Sequence, residues 1–159
     1  MARRAKEPLT AYRIADRRHS IFDGAGAGQY GGRWNSPGRP LIYASETFAG
    51  ALLEQLARAN IGVLPRTQQW IRIDCPAAVA VEVIAGTDVP VWDARADYTA
   101  SRAFGDAWLA AGRTAVLIVP SVVGRPVERN LLINPLHADF RLITASAPMD
   151  VEWGERLTT

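Results

Sequence analysis

Six glycines fall within residues 20–40, and this density most restricts what the chain can fold into. They are Gly24, Gly26, Gly28, Gly31, Gly32 and Gly38. A glycine inside a helix or strand costs about 0.5–1 kcal/mol relative to alanine, so residues 20–40 are predicted to be loop. Residues 26–31 fit the spacing GxGxxG, but a dinucleotide-binding turn follows a strand directly and opens a helix at its last glycine. Residues 32–38 cannot form that helix, so we reject a doubly wound dinucleotide-binding fold.

The rest of the chain predicts two helices among six to eight short strands. Strands are expected at residues 9–14, 41–44, 70–74, 79–84, 115–119, 130–133, 140–144 and 151–153. The first helix should start at an N-cap on Ser45, with Glu46 in its first turn, and end near Ala59. The second should start near Thr99 and stop at Gly112. We therefore expect a single α+β domain over residues 9–159, with a mixed sheet and flanking helices, after a basic tail over residues 1–8.

The composition excludes several kinds of chemistry. The 159 residues are 48% hydrophobic and 21% charged, which is typical of one globular domain. The only lysine is Lys6, so a Schiff-base or phosphate-loop lysine is excluded unless that residue folds inward. One cysteine, Cys75, and two histidines form no CxxC or HxxxH pair, so we expect no metal and a structural thiol.

The charge and hydropathy patterns indicate where the protein acts. The net charge of +2 comes mostly from scattered arginines, which favours a solvated surface over a nucleic-acid-binding face. No apolar run approaches the length of a membrane span, and no apolar core follows the basic start as in a signal peptide. A cytoplasmic protein is therefore expected.

Two groups of residues suggest a ligand site. Arg33 could present its planar fork to a diphosphate, with Asn35 pinning the glycine loop, or it could be a surface charge beside a plain loop. Tyr43, in a strand, and Glu54, eleven residues on in the next helix, could flank one cleft. An aromatic ring and a carboxylate there would suit glycosidic cleavage with a cationic leaving group, although a helical glutamate is usually solvated.

A hydrolase is a competing hypothesis. Ser121 follows a predicted strand and could form a triad with His137 and an aspartate. No GxSxG turn surrounds the serine, and a serine after a proline at a strand end is usually a turn residue. A non-catalytic binding module that uses the loop around Arg33 is the other competing hypothesis.

Taken in order, these motifs resemble the RES domain, the toxin half of a bacterial RES–Xre type II toxin–antitoxin pair. The resemblance runs from Tyr12 to Ile143. It rests on residues 12–13, 31–35, 41–45, 51–54, 120–121 and 130–140, which read YR, GGRWN, LIYAS, ALLE, PS and NLLINPLHADF. The one departure is Ala138, where proline is expected, and it has no evident catalytic consequence.

The resemblance implies an ADP-ribosyltransferase-like fold with NAD bound in a cleft as substrate and no other cofactor. It implies a catalytic trio of Arg33 for the diphosphate or ribose, Tyr43 for the nicotinamide ring, and Glu54 for the ribose and the transition state. The other residues that it places at the NAD site are Arg13, Gly32, Asn35, Ser121 and Asn130.

The activity implied by the resemblance is that of a toxin which cleaves the nicotinamide–ribose bond and transfers ADP-ribose to a cellular protein. The alternative is an NAD phosphorylase or glycohydrolase that depletes cellular NAD. The implied partners are an Xre-like antitoxin whose segment plugs the cleft, the protein acceptor, and a second copy of the chain in a homodimer. Neither membrane nor direct nucleic-acid binding is expected.

Overall fold

The structure is a computed structural model that describes residues 2–4, 7–59 and 66–157. These residues form three α-helices, α1 (Ala25–Tyr30), α2 (Phe48–Arg58) and α3 (Thr99–Ala111). They also form nine strands, β1 (Ala2–Arg4), β2 (Leu9–Asp16), β3 (Ile42–Ser45), β4 (Gln68–Cys75), β5 (Ala80–Val83), β6 (Val116–Pro120), β7 (Arg129–Ile133), β8 (Thr144–Ala145) and β9 (Met149–Asp150). No helix in this part of the chain is long and apolar enough to cross a membrane.

All nine strands belong to one mixed sheet. The order is β1-β5-β6-β7-β3-β2-β4-β8, and β9 also pairs with β4. Strands β5 and β6 run parallel, whereas the other pairs are antiparallel. The predicted α+β class with a mixed sheet is therefore confirmed. Part of the predicted basic tail, residues 1–8, contributes strand β1 at the edge of the sheet.

The sheet buries apolar side chains on both faces, because alternate residues of a strand point to opposite sides. One core contains Ala11, Ile42, Ile71, Ile73, Val81, Val116, Ile118, Leu131 and Ile133, and Phe22 and Phe140 pack against it. The other contains Leu41, Leu117, Val119 and Leu132 together with Trp34, Trp92 and Trp108. The lone thiol, Cys75, lies in the first core, where burial raises its pKa to about 11, as expected of a structural cysteine.

Helix α3 forms where the sequence predicts it and ends at Gly112, which has a left-handed φ of 61°. Its Trp108 is buried, and the Trp108 indole donates a hydrogen bond to Thr114. At Gly105 the helix lies so close to the backbone of Trp34 that a Cβ on Gly105 would overlap the Trp34 carbonyl oxygen. This contact fixes residues 20–40, the glycine-rich segment, against α3.

The prediction that residues 20–40 are entirely loop is wrong, because α1 forms within them. Gly24 and Gly31 bound this short helix with φ values of 73° and 74°, which admit glycine most readily. The Asp23 carboxylate accepts a hydrogen bond from the amide of Ala25 at the helix start. The turns at both ends of the helix thus use glycine, and Gly26 and Gly28 are accommodated inside it.

The predicted N-cap of α2 is also wrong. Ser45 is the last residue of β3, and Thr47 caps the helix by accepting a hydrogen bond from the amide of Gly50. Glu46 lies before the helix and forms an ion pair with Arg129. Both Ser45 and Thr47 are suitable caps by residue type, so the length of β3 decides between them.

Two strands predicted near the C-terminus are replaced by other elements. Residues 138–142 form a 3₁₀-helix, which His137 caps by accepting the Asp139 amide at Nδ1. The short strands β8 and β9 lie between the two predicted strands, and only Thr144 belongs to both a predicted and an observed strand. The turn at Asn134, whose side-chain oxygen accepts the Leu136 amide, directs this segment across the sheet rather than along it.

Candidate active site

A cleft opens where β2 and β3 separate. These two strands pair only at Tyr12 and Ser45, whereas β2 pairs with β4 along its whole length. Helix α2 packs over the separation. The open space in and above this cleft, including its solvent-filled mouth, is about 370 Å³. It is lined by Tyr12, Arg13, Ile14, Tyr43, Ala44, Ser45, Ala51, Glu54, Gln55, Arg58 and Asn130.

Side chains replace the missing backbone pairing in this cleft. Arg13 Nη1 donates to the carbonyl oxygen of Tyr43 at 2.9 Å. Gln55 Nε2 donates to the carbonyl oxygen of Ile14 at 3.1 Å. Buried carbonyls need partners, and here two polar side chains supply them. The strands can therefore stay apart without leaving these groups unsatisfied.

Glu54 is held in the cleft through one of its two carboxylate oxygens. Its Oε1 accepts hydrogen bonds from Asn130 Nδ2 at 2.9 Å and from Ser121 Oγ at 3.1 Å. The hydroxyl of Ser45 donates to Asn130 Oδ1 at 3.1 Å, which orients that amide, and the Gly124 amide donates to Ser121 Oγ. Among the described residues Oε2 has no hydrogen-bond partner. The carboxylate is thus fixed by one oxygen and can offer the other to a ligand.

The ring of Tyr43 forms a wall of the cleft, and its hydroxyl is held by hydrogen bonds to residues behind the ring. The hydroxyl donates to Asn35 Oδ1 at 2.6 Å and accepts from the Trp34 amide at 3.0 Å. Burial raises the pKa of this phenol, which therefore stays neutral. A Cβ on Gly32 would lie 2.5 Å from the same hydroxyl, so the chain passes directly behind the ring.

Asn35 is completely buried and contacts the backbone instead of lining the cleft. Its Nδ2 donates to the carbonyl oxygens of Ala27 and Arg39, both at 2.8 Å. The amide thus ties helix α1 and the end of the glycine-rich segment to Tyr43. Asn35 and Gly32, predicted to bind NAD, lie behind the Tyr43 ring.

Two cations face the same cleft. Arg13 is held by its Nε donating to the Ile21 carbonyl at 2.7 Å, in addition to its bond to Tyr43. Burial and then the charge of Arg58 lower its pKa to about 10. The sequence analysis missed Arg58, although it follows Glu54 by one helical turn and so shares its face of α2. A positive cleft with one carboxylate favours an anionic ligand.

The predicted catalytic trio is only partly brought together. Tyr43 and Glu54 line one cleft, as the strand–turn–helix spacing suggested, but Arg33 does not line it. Arg33 Nη1 donates to the carbonyl oxygens of Trp92 and Ala94, both at 2.9 Å. Its guanidinium carbon lies 4.5 Å from the centre of the Tyr98 ring. The catalytic role of Arg33 stays a prediction.

The serine hydrolase hypothesis does not fit this geometry. Ser121 lies at the end of β6 that pairs with the start of β7, because its amide donates to the Glu128 carbonyl. His137 follows the other end of the pair, where the Asn134 amide bonds to Ala115. Six residues of extended strand separate these ends by about 20 Å. The prediction of a catalytic triad that contains both residues is therefore wrong.

Across residues 2–4, 7–59 and 66–157, no group of three His, Cys, Asp or Glu side chains is arranged to hold a metal ion.

Comparisons with known proteins point to one family. Residues 10–154 match the model of the RES domain. The chain is 43% identical over 127 residues to the Prs ADP-ribosylating toxin of Sphingobium sp. (strain YBL2), covering 78% of each chain. It is 31% identical over 153 residues to Toxin Res of Yersinia enterocolitica, covering 94% of this chain and 99% of that one. A chain of the Mycobacterium tuberculosis MbcT–MbcA toxin–antitoxin complex shares the fold, with a TM-score of 0.73, 18% identity and coverage of 93% and 86%.

Proposed function

The chain belongs to the RES domain family, and from that premise we propose that it is a toxin which breaks the nicotinamide–ribose bond of NAD and transfers ADP-ribose to a cellular protein. The name of the Sphingobium relative, an ADP-ribosylating toxin, supports this activity. The observation that carries the proposal is Glu54, fixed through Oε1 by Asn130 and Ser121 beside the ring of Tyr43.

The proposed reaction uses the charge of this carboxylate. The cationic nicotinamide ring lies against Tyr43, since an aromatic face attracts a cation. As the bond from the ribose C1′ to nicotinamide breaks, the bonding pair leaves with nicotinamide and positive charge develops on the ribose. Glu54 stabilises that charge. The acceptor nucleophile then forms a bond to C1′ and loses its proton, so the products are nicotinamide, ADP-ribosylated acceptor and one proton.

Ser121 and Asn130 are positioning residues in this scheme. Both donate to the same oxygen of Glu54, so they set the direction of the carboxylate without neutralising it. A fixed charge requires no reorganisation when the transition state forms, which is the main advantage of preorganised electrostatic groups. Ser45 acts one step further out, by holding the amide of Asn130 in the orientation that points Nδ2 at Glu54.

The two cleft arginines favour a second candidate function, phosphorolysis of NAD. Arg13 is anchored by two backbone carbonyls, and Arg58 faces the same space. This pair of cations suits the diphosphate of NAD, and it equally suits a free phosphate that attacks C1′ in place of a protein. Water as the acceptor would make the protein a glycohydrolase.

Nicotinamide release tests the proposal and separates these acceptors. Purified chain is incubated with NAD labelled on the adenosine moiety, in phosphate-free buffer, with added phosphate, and with a cell lysate. Label on a lysate protein supports transfer, whereas release that requires phosphate identifies a phosphorylase. Release in buffer alone identifies a glycohydrolase. Folded wild-type protein that releases no nicotinamide in any condition contradicts the proposal.

We also propose that the protein acts in the cytoplasm and that it has a protein partner there. The partner is an Xre-like antitoxin, a segment of which fills the cleft. The fold shared with a chain of a toxin–antitoxin complex supports such a partner. Co-expression with a small helical Xre-like antitoxin should restore growth to cells that express the chain, and the two should co-elute from a sizing column. Light scattering of the chain alone tests the proposed homodimer. An antitoxin that relieves toxicity without binding the chain contradicts this part of the proposal.

A further inference from the structure

Gln55 follows Glu54 in helix α2 and lines the same cleft. Its Nε2 donates to the carbonyl oxygen of Ile14 at 3.1 Å. A carbonyl oxygen only accepts hydrogen bonds, so the amide nitrogen of Gln55 must face Ile14 and the amide oxygen must face away from it. This single contact with the backbone therefore fixes the orientation of the whole amide group.

The oxygen of this amide is free to bind a ligand. Among the described residues, Gln55 Oε1 has no hydrogen-bond partner. In the same part of the chain, the only buried side-chain oxygen or nitrogen without a partner is Gln68 Oε1. Gln55 Oε1 is therefore in contact with solvent, and the solvent-filled space beside Gln55 is the cleft that this residue lines.

Few other side chains of the cleft offer a hydrogen-bond acceptor. Arg13 and Arg58 can only donate, and Asn130 Oδ1 already accepts from Ser45. Apart from hydroxyl groups, which both donate and accept, the lining side chains that the structure describes have two oxygens without a partner, Glu54 Oε2 and Gln55 Oε1. Glu54 is assigned to the charge that develops on the ribose. Gln55 is left as the neutral acceptor.

The ligand of the proposed reaction needs such an acceptor. NAD carries N–H groups at only two places, the carboxamide of nicotinamide and the amino group of adenine. Both nitrogens donate hydrogen bonds and accept none, because their lone pairs are delocalised. An N–H group that leaves water for a protein cleft and finds no partner weakens binding, so a matched acceptor favours the ligand that carries the group.

We propose that Gln55 Oε1 accepts a hydrogen bond from one of these two amino groups and makes the cleft selective for it. The inference rests on the proposed function, because that function supplies NAD as the ligand. Gln55 thereby becomes a specificity-determining residue. The sequence analysis did not identify it, since it lies just outside the motif over residues 51–54.

Two dinucleotide analogues test the proposal, each lacking one amino group. Acetylpyridine adenine dinucleotide has a methyl group in place of the carboxamide amino group. Nicotinamide hypoxanthine dinucleotide has an oxygen in place of the adenine amino group. Both analogues keep the charge of NAD. Calorimetric titration of the full chain, in phosphate-free buffer without an acceptor protein, measures binding of all three ligands.

Wild type and Gln55→Met are compared, because methionine keeps the length of the side chain and has no amide oxygen. Gln69→Met is the matched control, since Gln69 Nε2 also donates one hydrogen bond, to Asp150, but Gln69 does not line the cleft. Wild type and Gln69→Met should bind NAD about three- to tenfold more tightly than the analogue that lacks the recognised group. In Gln55→Met the two affinities should lie within about twofold of each other. A general disturbance of the cleft weakens both ligands and leaves this ratio unchanged.

The analogues also identify which amino group is recognised. Discrimination against the acetylpyridine analogue that depends on Gln55 assigns Oε1 to the carboxamide, and discrimination against the hypoxanthine analogue assigns it to adenine. Equal affinity of wild type for all three ligands overturns the proposal, as does discrimination that persists in Gln55→Met. If wild type discriminates through Gln55 but releases no nicotinamide, the proposed function fails and the role of Gln55 stands. Nicotinamide release without discrimination has the opposite meaning.

Gln55→Lys provides a second test, because Gln55 also satisfies the Ile14 carbonyl and Gln55→Met could fail to fold. Lysine has N–H donors for that carbonyl but no acceptor. NAD and both analogues carry the same charge, so the added cation affects their affinities alike and the ratio still reports on the acceptor. We expect a ratio within about twofold of unity in Gln55→Lys. A ratio equal to that of wild type contradicts the role of Oε1.

Discussion

The two sides of Tyr43 are built in different ways. On one side, residues 32–36 are fastened to α3 by contacts that leave little space. Ser101 donates to the Arg33 carbonyl, and Asp106 accepts both the amide and the hydroxyl of Ser36. On the other side, β2 and β3 separate after one pair, and the side chains of Arg13 and Gln55 bridge the opening.

The difference explains how a rigid wall and an open cleft coexist in a small domain. Tight packing behind Tyr43 fixes its ring through Asn35 and the Trp34 amide. In front of the ring, backbone groups are satisfied by polar side chains, which keep further donors for a ligand. The end of strand pairing thus creates the site, and the packing on the opposite side keeps its geometry.

Replacing the charge on the open side should have the largest effect. Glu54→Gln keeps the shape of the side chain but removes the negative charge that we assign to transition-state stabilisation. Nicotinamide release should fall about 10²–10³-fold, with an unfolding midpoint close to wild type. Glu128→Gln is the matched control, since Glu128 also accepts a hydroxyl hydrogen bond, from Thr47, but does not line the cleft. Near-wild-type turnover in Glu54→Gln contradicts the assignment.

Filling the contact on the packed side should have the next largest effect. A Cβ in Gly105→Ala overlaps the Trp34 carbonyl oxygen, and the free energy of unfolding should fall by about 3 kcal/mol. Gly26→Ala is the control, because a Cβ there meets nothing within 4 Å and the residue lies in helix α1. That variant should be as stable as wild type or slightly more stable. Urea unfolding followed by tryptophan fluorescence measures the stability of both variants. Equal stabilities of Gly105→Ala and Gly26→Ala would contradict tight packing between α3 and the Trp34 backbone.

The sequence predicted the open side better than the packed side. The spacing of Tyr43 and Glu54 indicated a shared cleft because a strand, a short turn and a helix leave few arrangements. Arg13 lies in the same cleft because β2 is the neighbour of β3 in the sheet. Only the first inference depends on local geometry, which the sequence pattern carries, whereas Arg13 was placed at the site by the family resemblance.

The remaining features depend on contacts between distant parts of the chain. The bond from Ser45 to Asn130 requires the register of β3 against β7, which residue types near Ser45 do not specify, so this serine was predicted to be a helix cap. Gln55 and Arg58 look like ordinary helix residues until the fold places them beside the cleft. Helix α1 was missed because glycine propensity argues against it, although the turns at Gly24 and Gly31 require glycine.

The charge of Arg13, whose side chain bridges the opening between β2 and β3, predicts how ligand affinity depends on pH. Because the pKa of Arg13 is lowered to about 10, its charge is lost from the folded protein as pH rises through that value, and ADP-ribose affinity should fall there. In Arg13→Lys this loss should occur about two units lower, since lysine starts from a lower pKa than arginine. Arg72→Lys, at a residue paired with Asp74 away from the cleft, serves as the control.

The sign of the linkage separates this effect from unfolding. Between about pH 10 and the ordinary arginine pKa of 12.5, the unfolded chain binds more protons at Arg13 than the folded chain does. The contribution of Arg13 to stability therefore rises with pH, while its contribution to binding falls. An affinity profile that is the same in Arg13→Lys and wild type contradicts a role for the Arg13 charge in the ligand site.

Removing the bond that joins the two sides should have the smallest effect of the four. Tyr43→Phe keeps the ring that faces the cleft but leaves the Trp34 amide and Asn35 Oδ1 without a partner. The free energy of unfolding should fall by about 1–2 kcal/mol in urea titrations. Nicotinamide release by the folded variant should stay within about threefold of wild type, because the hydroxyl bonds to Asn35 and Trp34 and we propose that only the ring contacts NAD. Tyr43→Ala removes the ring as well and should lose much more activity. If Tyr43→Phe keeps its stability but loses turnover, the hydroxyl takes part in the reaction, and the wall behind Tyr43 belongs to the active site itself.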